Sequence, residues 1–85
     1  MARYNILIKR SAQKELATLP RDYLVAVLKL IGALAENPRS PGSAKLSGEE
    51  KYRIRKGPDR VVYSIDDQEL TVWVVKIAHR KGAYR

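Results

Sequence analysis

Cysteine is absent from the 85 residues and histidine occurs once. The first absence excludes a disulfide scaffold, a cysteine-ligated metal and a thiol nucleophile; with the second, too few ligands remain for a structural zinc site. No metal or other cofactor is expected. Long apolar runs are missing as well: none can span a bilayer, and the N-terminus lacks the continuous apolar stretch of a secretory signal. The expected address is the cytoplasm, with no membrane partner. Acids are scarce, nine Asp and Glu against seventeen Lys and Arg, for a formal charge of +8. A field of that sign favours polyanions, and nucleic acid is the commonest. A chain of this length is expected to form one domain over 1–85 with a modest core.

What is present is a set of cations that look placed. Lys51, Arg53, Arg55, Lys56 and Arg60 crowd the stretch KYRIRKGPDRVVY, and Lys76, Arg80, Lys81 and Arg85 crowd the end of the chain. Asp66, Asp67 and Glu69 collect in a single turn.

The pattern along the chain predicts a strand at Tyr4–Ile8, then a short helix at Ala12–Leu19 with Ser11 as N-cap. Pro20 ends that helix and suits the first turn of the next. Leu24, Val27, Leu28, Ile31, Leu34 and Ala35 recur at three- and four-residue spacing, an apolar stripe that needs a sheet to pack on. Gly32 inside it implies a close neighbour or simple tolerance. Asn37-Pro38 stops the helix, and Arg39–Glu50 has the Pro, Gly and Ser content of a surface connection, anchored by Leu46.

Three strands follow. With Gly57-Pro58 as a two-residue turn, Lys56 faces Asp59, Arg55 faces Arg60, Ile54 faces Val61 and Arg53 faces Val62. Tyr52, Ile54, Val61, Tyr63 and Ile65 then share a buried face, and Arg53, Arg55, Arg60 and Ser64 share the other. The last strand, Leu70–Ala78, is apolar on both faces except at Lys76, as a central strand is. Strand, two helices and three strands make an α+β fold in which a helical hairpin covers one face of a small, mainly antiparallel sheet.

The uncovered face carries the arginines, and arginine suits one task above others: it stays charged and donates in a planar fork that matches two phosphate oxygens. RNA can be cut by its own 2′-hydroxyl, provided the attack is oriented, protons are moved and the growing charge on phosphorus is stabilised. Arg53, Arg55, Arg60 and Arg80 are the candidates for that stabilisation. Tyr84, four residues beyond Arg80, can stack on a splayed base or hydrogen-bond a reacting oxygen. His79 titrates near neutrality, although packing or surface roles are commoner for such a residue. Lys51, Lys56, Lys81, His79 and Arg85 are candidates to hold the RNA backbone. Trp73, Tyr4, Tyr23 and Tyr63 read as core or rim aromatics.

Four stretches together, SAQKELATLP with the long helix, a loop ending in KLSG, YRIRKGPDRVVYSID and VVKIAHRKGAYR, resemble the RelE branch of the RelE/ParE toxin superfamily. The resemblance covers nearly the whole chain. It implies a fold similar to the small microbial ribonucleases and a metal-independent cleavage of messenger RNA in the ribosomal decoding site that inhibits translation. It places the family's basic pair on Arg53 and Arg55, where the family pattern has lysines, its hairpin arginine on Arg60, its C-terminal arginine on Arg80 and its terminal tyrosine on Tyr84. It further implies an acidic or amphipathic RelB-like antitoxin, and operator DNA binding only through the antitoxin complex. The ParE branch, whose toxins poison DNA gyrase without cutting RNA, is the alternative.

Overall fold

Alternating apolar residues in the strands and three-to-four spacing in the long helix demand that sheet and helices pack face to face. A computed structural model describes residues 3–46, 51–57 and 59–79, with Lys56 and His79 described by backbone alone, and has that arrangement. In order it runs β1 (Asn5–Ile8), α1 (Arg10–Ala17), α2 (Arg21–Leu34), β2 (Ser43–Lys45), β3 (Lys51–Lys56), β4 (Asp59–Asp66) and β5 (Thr71–His79). The strands form one five-stranded sheet ordered β1-β5-β4-β3-β2, antiparallel except where β1 runs parallel to β5. The α+β architecture read from the sequence is the observed one; the last strand is interior, between β1 and β4, although the central position belongs to β4. Ala12 and Leu16 of α1 and Val27, Ile31 and Leu34 of α2 close the core over Val61, Tyr63, Val72 and Val74.

Local details differ. Helix α1 starts at Arg10, and Lys9, not Ser11, takes the cap position without a side-chain capping bond. The Lys9 amide is still bonded to the Val74 carbonyl in the sheet at 2.9 Å, so the chain turns into the helix before Ser11 is reached. The helix ends at Ala17, where Thr18 folds its hydroxyl onto the Glu15 carbonyl at 2.8 Å. Pro20, in extended conformation, flanks α2 as its N-cap instead of entering its first turn. Within the expected surface connection, Ser43–Lys45 pairs with β3 as a short edge strand. That connection is tied down less by half-buried Leu46 than by buried Pro38, whose carbonyl accepts the Tyr63 hydroxyl at 2.6 Å. Leu70 lies outside β5 because it takes a left-handed φ of 47° to close the turn after β4.

The alternation in β5 is broken once. Val62 pairs with Lys76 but Tyr63 with Val74, so Val75 is an extra residue in β5. Strict alternation from buried Val72 and Val74 would bury Lys76 and expose Ile77; the bulge instead buries Ile77 and leaves Lys76 exposed. β1 ends opposite Val74, and there α1 takes over the edge of the sheet: the Glu15 carboxylate accepts the Ile77 amide at 2.8 Å and the Lys76 ammonium at 3.2 Å. Gly32 of α2 has open space around it, which settles its reading as tolerance.

Candidate nucleic-acid interface

Two features of the hairpin position its cations. Gly57 adopts φ +59°, the left-handed value that a two-residue turn beginning with glycine requires, and Ile54, Val61 and Tyr63 are buried against the helices. Their neighbours must point the other way. Arg53 and Arg55 on β3 and Arg60 on β4 therefore stand on the face without helices, in the expected register: Arg55 opposite Arg60, Arg53 opposite Val62, Lys56 opposite Asp59. Side chains directly opposite have Cβ atoms about 5 Å apart, and a like-charged pair at that separation repels. An anion between the two guanidinium groups would relieve that repulsion. Lys51 extends the row along β3, and Arg60 faces the small Ala78 on β5.

Of the remaining site residues read from the sequence, His79 holds the last position of β5, opposite Asp59. Arg80, Lys81, Tyr84 and Arg85 lie outside the described residues, as do the side chains of Lys56 and His79.

A second arginine cluster, at the other end of the sheet, was not legible in the sequence. Arg39, just beyond α2, grips Asp67 with two nitrogens at 3.1 and 2.9 Å, points its third at the Tyr52 hydroxyl at 3.3 Å and lies over the Tyr52 ring. Tyr52 stacks on Tyr63, and Tyr4 donates its hydroxyl to the same Asp67 carboxylate at 2.7 Å. The Arg39 guanidinium, aided by the Tyr4 hydroxyl, holds the Asp67 carboxyl at about 2, and Asp67 in return raises the pKa of Arg39. The bond to Asp67 likewise raises Tyr4, whereas burial is what raises Tyr63. This cluster ties the residue before β1, the loop after α2, β3 and the β4–β5 turn together, with every Arg39 nitrogen bonded within the protein.

The sequence model of the ParE toxin of the parDE type II toxin-antitoxin system matches residues 6–84. The chain belongs to the RelE/ParE toxin superfamily. It is 33% identical over 84 residues to the toxin RelE of Mycobacterium tuberculosis, covering 96% of this chain and 87% of that protein. It is 31% identical over 86 residues to the toxin RelG of the same organism, covering 96% and 97%. Among solved structures, the toxin-antitoxin complex RelBE2 from M. tuberculosis superposes with a TM-score of 0.85 at 29% identity, over 93% of this chain and 100% of that one. The isolated E. coli RelE toxin superposes with a TM-score of 0.79 at 25% identity, over 89% and 83%. This RelE/ParE protein is thus the toxin of a type II toxin-antitoxin system. Among its described residues, no helix is long and apolar enough to cross a membrane.

One feature of the arginine face escaped the sequence reading. Trp73, read there as core or rim, stands on the uncovered face opposite Ser64 and remains 38% exposed. The signal was present in the alternation, since Trp73 lies between two residues of the buried phase, Val72 and Val74.

Proposed function

We propose that this toxin is an endoribonuclease that cuts messenger RNA in the ribosomal decoding site and so stops translation. The observation that carries the reading is the Arg55 and Arg60 pair, with Arg53 alongside, on a face that the helices leave open. A phosphodiester seated between the two forks gains charge as the RNA's own 2′-hydroxyl attacks it, and fixed guanidinium groups stabilise that charge more than they stabilise the ground state. Arg80 adds a further fork and Tyr84 a ring for a splayed base, and Lys51, Lys56, His79, Lys81 and Arg85 hold the backbone. A RelB-like antitoxin, acidic or amphipathic, covers the basic face in the inactive complex; toxin-antitoxin complexes recur among the structures of similar fold. The toxin acts in the cytoplasm, and it reaches operator DNA only through the antitoxin.

The match to the ParE family favours a second reading, in which the toxin poisons DNA gyrase and cuts nothing. Toeprinting of a message translated with and without the protein separates the two. The ribonuclease reading expects new ends inside ribosome-protected codons, and roughly a hundredfold slower cleavage on Arg55→Ala or Arg60→Ala, the scale of losing one charge-stabilising donor group. Cleavage at the wild-type rate in both folded variants would refute the site. Replication stopping while message stays intact would replace the reading with the gyrase one.

A further inference from the structure

Trp73 is the chain's one tryptophan, and the fold sets it where a large aromatic in a central strand is not expected. It is 38% exposed on the helix-free face, beside Leu7 of β1, which is 43% exposed. Across the strands, the face is built in rows. Arg55 and Arg60 form one, Arg53 and Val62 the next, and Lys51, Ser64, Trp73 and Leu7 the third. No acid is among these residues; Lys76 continues the second row on β5, and its ammonium is paired with Glu15 of α1 at 3.2 Å at the margin of the face. Beyond Trp73 the next position of β4 on this face is Asp66, where the acidic turn begins. Favourable ground for a polyanion therefore runs from the tryptophan to the arginine pair and stops there. Arg60 and Ser64 are four residues apart along β4, about 13 Å at the rise of an extended strand, a distance that an extended single strand covers in a few nucleotides.

A row of cations ending at an exposed flat ring matches the two halves of a single-stranded nucleic acid, phosphates for the guanidinium groups and a base for the aromatic face. Its partner on β4, Ser64, is small and polar. We propose that Trp73 is a base-stacking platform, seating one nucleotide of the RNA a few positions from the phosphate held by Arg55 and Arg60. The inference deepens the ribonuclease reading and rests on it for the identity of the strand; the stacking itself requires only single-stranded nucleic acid.

Because no other tryptophan is present, its fluorescence reports this position alone. The 85-residue toxin is titrated with a mixed-sequence single-stranded oligoribonucleotide carrying 2′-methoxy groups, which block cleavage, while tryptophan emission and the anisotropy of a dye on the oligonucleotide are followed together. Emission is quenched on binding, and an abasic oligonucleotide with the same number of phosphates binds without quenching. Trp73→Leu, which keeps apolar bulk on the sheet but loses the flat ring, weakens binding about five- to a hundredfold, and Trp73→Phe recovers most of it. Anisotropy that rises with unchanged emission, and with Trp73→Leu equal to wild type, overturns the platform and leaves the ribonuclease reading intact. No binding by either signal at low salt overturns the platform as well. A Trp73→Leu protein that binds the oligonucleotide normally but no longer holds its antitoxin assigns the ring to a protein contact and also overturns it. Quenching and ring-dependent affinity in a toxin that leaves ribosome-bound message uncut support the platform and remove the ribonuclease reading.

Discussion

Arg39 and Arg55 carry the same side chain to different ends. Arg39 has all its nitrogens engaged, two on Asp67 and one at Tyr52, with an aromatic ring beneath it. Arg55 is exposed, faces another arginine and has no carboxylate partner among the described residues. The net charge of the sequence counts both equally. The fold distinguishes them: one guanidinium is bonded through every nitrogen to its own protein, and the other is set opposite a like charge.

The widest separation between the two is expected in activity. Arg55→Ala should slow cleavage of ribosome-bound message about a hundredfold, and Arg39→Ala should leave the rate within a few-fold while lowering the midpoint of urea unfolding. Comparable losses of activity in both, measured by toeprinting, would erase the distinction. Next in size is Tyr63→Phe, which deletes the buried bond to the Pro38 carbonyl beneath the tie. It should cost about 1 to 2 kcal/mol in urea unfolding with an unchanged slope.

The acid limb of stability sharpens the contrast. The folded chain holds the Asp67 carboxyl at about 2, below its ordinary 3.8. Its contribution is therefore fully present above the ordinary value and is lost as pH falls from there towards 2. Asp67→Asn should be less stable than wild type near neutrality, and the difference should shrink across that window; thermal melts at a series of pH values measure it. A constant difference would mean that Arg39 holds Asp67 too weakly to matter. The smallest effect is expected at Gly32→Ala on α2, remote from both clusters. An added methyl meets nothing within 4 Å, so stability should rise by up to about 1 kcal/mol, with activity unchanged.

Much of this geometry was legible because it is local. The Arg-Ile-Arg alternation and the glycine turn set the β3–β4 register, and the spacing of Val27, Ile31 and Leu34 set the buried stripe of α2. What escaped depends on partners distant in the chain. The carboxylate that holds Arg39 is 28 residues away, and nothing near either residue marks the pairing. β2 reads as loop from its Pro, Gly and Ser neighbours and becomes a strand because β3 offers it an edge. Trp73 is a different case: size and apolarity alone leave core and rim open, and the alternation of β5, a local signal, sends it to the arginine face.

The extra residue at Val75 ties the facing of Lys76, Ile77 and Ala78 to a count. In β5, removing or adding a single amino acid just before Ile77 would exchange the two layers for the positions that follow, moving Ala78 from beside Arg60 into the oily side and Ile77 out to water. Substitutions can drift along this strand one at a time, whereas a change of length there inverts it at a stroke. The length of β5 is thus a heritable part of the arginine surface, as much as any side chain on it.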